Sequence, residues 1–174
     1  AMIDIAKQKT EELGKVKDFT EAELETLYHT IGLGALKFFL LRVDPKKKMI
    51  FNPEESIDFH GFTGPFIQYT HARIKSILRK AESATKAEHT GTATPLLPLE
   101  KEVTIQLEQF TSMLEDAAAA FDPSKVAIFT FNLAKTFNAL YAEHSITNAE
   151  TEEKKILRLQ LAALTAKTLK TGMG

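Results

Sequence analysis

Apolar residues recur at steps of three and four along nearly the whole of this chain, and that spacing leaves few architectures open. Leu24, Leu27, Tyr28, Ile31, Ala35, Phe38 and Phe39 share one face of a helix. Thr20 and Glu23 precede it as a capping-box pair, in which each side chain satisfies an N–H orphaned at the helix start. Ile67, Ile74, Ile77, Leu78 and Ala81 mark a second helix, launched at Pro65, and Val103, Leu107, Phe110, Leu114 and Phe121 a third, opened by Pro98. Asp122-Pro123, an N-cap followed by proline at the first helical position, starts a fourth. Its stripe is Val126, Phe129, Leu133, Phe137 and Tyr141. Thr147 with Glu150 caps a fifth, which carries Ile156, Leu157, Leu161, Leu164 and Leu169. Amphipathic helices joined by short polar segments predict an all-α fold, a bundle of about five main helices.

The connections carry their own signals. Gly32 and Gly34 weaken the first helix by about 1 kcal/mol each relative to alanine, so they are expected to permit close approach of a neighbouring segment rather than to cradle phosphate. Asp44-Pro45 ends that helix, and the short apolar pieces 49–51 and 57–59 form either a small hairpin or irregular chain. Gly61 to Pro65 reads as a turn. Residues 83–97 are small and polar without periodicity, the pattern of an exposed linker.

Composition removes several classes of function. Without cysteine there is neither a disulfide nor a thiolate metal site. No run approaches the roughly 18 apolar residues a membrane span needs, and the first residues lack the pattern of a signal peptide. The five histidines include no HExxH pair and no pair four residues apart, and no glycine loop of the phosphate-cradling kinds occurs. Glu150 to Glu153 suit a helix N-terminus, where they complement the dipole. The chain by itself is therefore expected to hold no catalytic residue, no metal and no cofactor. A formal net charge of −1 argues against indiscriminate nucleic-acid binding, yet leaves room for a local surface that reads a few unstacked bases. Lys46, Lys47 and Lys48 are either a solvated loop or a phosphate contact.

One segment, residues 61–74, carries more chemistry than the rest. On a helix beginning at Pro65, Phe66, Tyr69 and Arg73 stand at steps of three and four, on one face. Two aromatic rings followed by a planar guanidinium suit splayed-out nucleotides, which stack on the rings while arginine stacks or bridges to phosphate. Gln68 and His71 flank that face with groups able to bond base edges. The same spacing also fits a core stripe from which Arg73 reaches outward to solvent.

The segment Gly61-Phe62-Thr63-Gly64-Pro65-Phe66-Ile67-Gln68-Tyr69-Thr70-His71-Ala72-Arg73-Ile74 resembles the signature of arginyl-tRNA synthetases near the junction of their catalytic and anticodon-binding regions. Upstream, Ile31 to Phe38 resembles the family's Val-Gly-x-Gly-Ala helix. Downstream, Leu133 to Tyr141 resembles its Leu-Ala-x-x-Phe-x-x-Phe-Tyr helix, and the likeness continues through Arg158 to Gly172. The resemblance implies a class I synthetase, which uses ATP with Mg to join arginine to its tRNA in the cytoplasm, and whose C-terminal helical bundle holds the anticodon stem-loop. On that basis residues 61–174 are the anticodon-binding bundle, and 1–60 a helical segment following the catalytic core. The implied tRNA-binding residues are Phe66, Gln68, Tyr69, His71, Arg73, Phe137 and Tyr141. The implied partners are arginine tRNA and the catalytic domain of the same parent chain, with no membrane and a monomeric state.

Departures from the family pattern narrow what is expected. Position 66 is Phe where Tyr is common, so stacking survives there without a hydroxyl. Position 140 is Leu where the pattern has Phe, a change of packing. The His-Ile-Gly-His and Lys-Met-Ser-Lys signatures that handle ATP do not occur, nor does the Leu-Leu-Gly stretch ending in Met that follows the last glycine in the family. Arginine activation is thus not expected of this chain. The alternative is a structural or protein-interaction bundle, which requires Phe66, Tyr69, Phe137 and Tyr141 all to be fully buried.

Overall fold

In a computed structural model of the chain, the described residues are 2–14, 19–82 and 94–174. Among them the regular structure is helical throughout, in seven helices: α1 (Met2–Glu12), α2 (Glu21–Leu41), α3 (Pro53–Ser56), α4 (Gly64–Glu82), α5 (Pro98–Ala120), α6 (Pro123–Glu143) and α7 (Glu152–Met173). The all-α expectation holds, and five helices become seven. The two additions have weak sequence signals. In α1, Met2, Ile5 and Ala6 stand beside a polar run from Lys7 to Glu12, and α3 is a single turn held by its cap. That cap is Asn52, whose side-chain oxygen accepts from the N–H groups of Glu54 at 3.1 Å and Glu55 at 3.3 Å. The pieces 49–51 and 57–59 form no strand; of the two alternatives the irregular one is found. Most of the expected linker, residues 83–93, lies outside the described residues, and 94–97 run without helix into α5.

Helix α6 is the hub. It packs against α5, α7, α4 and α2, and its residues Leu133, Ala134, Phe137 and Leu140 are fully buried at the centre of the main core. Ile67, Ile74 and Ile77 of α4, Val103 of α5, and Leu161, Ala162, Ala166 and Leu169 of α7 close round them. A smaller core joins Ala6 of α1, Ile31 and Ala35 of α2, and Ile57. Phe38 of α2 belongs to the main core, so α2 serves both. It meets α4 where glycines face each other: a Cβ on Gly64 would lie 2.7 Å from the carbonyl oxygen of Gly34. The contact is possible only without a Cβ on Gly64. Gly32 in turn lies against the backbone of Met2 in α1.

The capping box at α2 forms as the sequence predicts, with Glu23 accepting from the Thr20 N–H at 2.8 Å. The cap of α7 moves. Thr151, not Thr147, accepts from the Lys154 N–H at 3.2 Å, and the helix starts at Glu152. Glu150 is used instead to accept from Arg158 at 2.7 Å. Two predicted stripe positions also face outward: Leu164 is exposed, and Phe121 is 89% exposed in the left-handed conformation (φ 51°) that ends α5.

The fold also buries charge that periodicity does not reveal. Glu100, fully buried near the start of α5, accepts from Lys154 Nζ at 2.5 Å and Arg158 Nε at 2.8 Å, both from α7, and from the Leu97 N–H at 2.8 Å. Burial alone would raise the Glu100 pKa, but these hydrogen bonds outweigh it and hold the carboxyl below its ordinary value. Arg158 donates further to the carbonyl of Ser145 at 2.7 Å, so one guanidinium binds α5, α7 and the α6–α7 connection.

Candidate nucleic-acid interface

An open cleft of about 1060 Å³ runs between the α1–α2 pair on one side and α4 with the end of α6 on the other. Helix α4 supplies one wall. Tyr69, Arg73, Ser76 and Lys80 repeat at three- and four-residue steps along it, and Arg79 stands beside them at the cleft edge. The last turn of α6 brings Tyr141, 41% exposed, to the same wall beside Arg73.

Arg73 is the centre of this arrangement. Its guanidinium carbon lies 4.9 Å from the Tyr69 ring centroid and 5.6 Å from that of Tyr141, so the cation bridges two aromatic faces on different helices. Nη1 donates to Asn138 Oδ1 at 2.6 Å, and the Asn138 amide donates to Thr70 Oγ1 at 2.8 Å. These bonds fix the guanidinium's position before any ligand arrives. Tyr69 meets Phe59 edge-on at 6.3 Å. The cleft lining contains Arg73, Arg79 and Lys80 and, among the described residues, no carboxylate. On a chain with net charge −1, cationic side chains are thus gathered at one place.

The expected site residues divide into groups. Tyr69, Arg73 and Tyr141 come together as one surface. Gln68 lines the same cleft, but its Nε2 donates to the Thr30 carbonyl at 3.2 Å, and it lies where a Cβ on Gly34 would be, so it ties α4 to α2. Its Oε1 is buried and has no hydrogen-bond partner among the described residues. His71 does not line the cleft, and its electrostatic neighbours are Lys75 and Lys170. Burial first, and then these two cations, lower its pKa from the ordinary value. Phe66 shares the azimuth of Arg73 but lies two turns earlier, and its half-buried ring packs on Phe131 at 5.0 Å.

Phe137 is fully buried in the main core and presents no face to solvent. The reason is rotation: one turn separates it from Tyr141, and the lag of about 40° between positions four apart takes Tyr141 out of the interface that Phe137 fills. The structural alternative required all four aromatics to be fully buried. Phe137 alone meets that requirement.

Reasoning from sequence missed Asn138, Thr70 and the basic continuation at Arg79 and Lys80. The last was legible, because Lys80 lies seven residues after Arg73, on the same face. Asn138 carried a fainter signal: asparagine is a poor helix former, and in mid-helix it needs a partner to offset that cost. Among the described residues, no group of three His, Asp or Glu side chains is placed to hold a metal ion, and no helix is long and apolar enough to cross a membrane.

Comparison with known proteins bears on the family and the fold. Residues 67–174 match the DALR anticodon binding domain family. The chain is 48% identical over 171 residues to the arginine–tRNA ligase of Flavobacterium psychrophilum, an alignment covering 98% of this chain and 28% of that protein. It is 45% identical over 175 residues to the enzyme of Amoebophilus asiaticus, covering 99% and 29%. In structure it superposes on Thermus thermophilus arginyl-tRNA synthetase with a TM-score of 0.82 at 30% identity, over 98% of this chain and 29% of that one. The fold is shared with the arginyl-tRNA synthetase of Plasmodium falciparum, at a TM-score of 0.78 and 20% identity over 99% of this chain and 31% of that one. The chain spans less than a third of the length of these relatives. With the match covering all but the first residues of α4 and the whole of α5 to α7, the chain belongs to the DALR anticodon binding domain family.

Proposed function

We propose that this chain is the tRNA-reading part of an arginine–tRNA ligase, and that the cleft face of α4 and α6 receives the anticodon loop of arginine tRNA. The observation that carries the reading is the Tyr69–Arg73–Tyr141 cluster, in a cleft to which Arg79 and Lys80 also contribute and whose lining, among the described residues, holds no carboxylate. Two rings offer stacking surfaces to unpaired bases, each worth about 1–3 kcal/mol. Arg73, held by Asn138, offers its remaining donors to phosphate or to a base edge. Phe137 and Phe66 support the wall from behind, Gln68 sets its distance from α2, and His71 with Lys75 and Lys170 forms a separate basic patch for the flanking backbone.

ATP and Mg, with arginine activation, belong on this reading to the portion of the relatives that lies outside this chain. Residues 1–60 connect that portion to the anticodon-binding bundle. The protein acts as a monomer in the cytoplasm, where tRNA is charged.

The test is titration of the chain with arginine tRNA at low and moderate salt. Arg73→Ala combined with Tyr141→Ala should weaken binding at least about tenfold, from the loss of one stacked base and one charge-assisted contact. Circular dichroism should be unchanged, because Tyr141 lies on the surface. Equal affinity in the folded double variant would remove the cleft face from the proposal.

A further inference from the structure

Asn138 stands half-buried in α6, one position after the core residue Phe137, and its amide makes two bonds to α4. Oδ1 accepts from Arg73 Nη1 at 2.6 Å, and Nδ2 donates to Thr70 Oγ1 at 2.8 Å. The placement of protons fixes which end of the amide meets which partner. Thr70, fully buried, gives its one hydroxyl proton to the Phe66 carbonyl at 2.9 Å, so toward Asn138 it can only accept. Arg73 can only donate. The amide is therefore forced to turn its NH2 to Thr70 and its carbonyl to Arg73. A backbone carbonyl of α4 thus sets, by way of α6, where a guanidinium three turns of side chain later comes to rest.

We propose that Asn138 is a positioning residue for RNA binding, which locks Arg73 between the Tyr69 and Tyr141 rings while leaving its charge intact. The inference rests on the function proposed above and adds a residue that acts through Arg73. A mobile arginine loses rotamer freedom when it binds, and that loss weakens binding; a side chain held beforehand has already lost it. The chemistry of the acceptor matters as much as its place. A carboxylate at 138 would hold Arg73 more strongly, but it would cancel the charge and with it the pull on phosphate. An amide carbonyl is a neutral acceptor, so the cation is fixed and stays a cation. Among the described residues Arg73 has no ion pair, and its Nε and Nη2 make no hydrogen bond. One complete edge of the guanidinium fork is thus left for a pair of acceptor atoms on RNA.

Two readouts separate the hold from the charge. The first needs no RNA: the side-chain N–H NMR signals of Arg73 in the 174-residue chain, assigned by their loss in Arg73→Ala. In the wild type the Nη groups should give separate signals, because a held guanidinium turns slowly about its Cζ–Nε bond. Asn138→Ala should merge them, and Asn138→Asp, which keeps an acceptor, should not. The second readout is titration with arginine tRNA across a salt series. Asn138→Ala should weaken binding about three- to fivefold with the salt slope unchanged, and in an Arg73→Ala background it should add less than about 1.5-fold. Asn138→Asp should also weaken binding, with a slope shallower by about 0.7, one phosphate contact. Thr70→Val, which removes only the hydroxyl, should lie between wild type and Asn138→Ala in both readouts, and it serves if Asn138→Ala does not fold. Separate Arg73 signals that persist in Asn138→Ala would overturn the proposal. So would an equal loss of affinity from Asn138→Ala with and without Arg73. An Arg73→Ala chain that binds tRNA like the wild type would remove the proposed function as well, whereas a loss with Arg73→Ala beside none with Asn138→Ala removes only the positioning role.

Discussion

Two buried or half-buried side chains, Arg73 and Glu100, show how differently charge is used in this molecule. Arg73 lies between two aromatic faces with one donor committed to Asn138, a cation that the proposed function offers to RNA. Glu100 is closed on all sides by Lys154, Arg158 and a backbone N–H, an anion with its partners already in place. Glu100→Gln would leave two buried cations short of a counter-charge, and chemical denaturation should show a loss of about 3–5 kcal/mol. The linked pH dependence has a definite sign. Because the folded-state pKa of Glu100 is depressed, its contribution is fully present above the ordinary carboxylate value and is lost as pH falls through the folded value. Stability curves of wild type and variant should therefore converge in acid; a constant gap down to the lowest pH would rule out this role. The residue types at 100, 154 and 158 were visible in the sequence, but their pairing was not. Glu100 stands more than fifty positions before Lys154 and Arg158, and only the packing of α5 on α7 joins it to them.

Among the helices, the decisive contact is the crossing of α2 and α4. Gly34 and Gly64 both look like defects in helix propensity, but the crossing requires only one of them to lack a side chain, Gly64. A Cβ on Gly64 would press on the backbone of Gly34 and on Phe38, neither of which can swing aside. A Cβ on Gly34 would meet the end of the Gln68 side chain, which can. Gly64→Ala should cost about 1–3 kcal/mol through overpacking. Gly34→Ala should be close to neutral, since about 1 kcal/mol of helix propensity offsets the displaced Gln68 bond. Urea unfolding of the two variants tests the ranking; similar losses would mean that the crossing is looser than it looks. Helix periodicity located α2, α4, α5, α6 and α7 because each buries a continuous apolar stripe. It failed for α1 and α3, whose stability comes from a neighbouring helix and from a side-chain cap. It also placed Phe121 and Leu164 on buried stripes, since periodicity gives a face but not where the neighbouring helices stop.

For the molecule as a whole, the near balance of charge makes a prediction about salt. If binding is confined to the cleft, with Arg73, Arg79 and Lys80 each neutralising a phosphate, the logarithm of affinity should fall against that of salt with a slope of about −2. Titration of arginine tRNA across a salt series measures it. A slope of about −5 or steeper would mean that the lysines at 46–48 and the patch around His71 engage the backbone as well. The sequence by itself determined that this chain is a helical bundle, which of its segments carry RNA-suited chemistry, and the family whose signature residues 61–74 resemble. Those properties are local, written in spacings of three and four and in short motifs. The tertiary structure alone decided that Tyr69, Arg73 and Tyr141 face one cleft, whereas Phe137 fills the core and His71 does not line the cleft. Spacing says which side chains share a face, but whether that face meets water or another helix is settled by the elements packed against it.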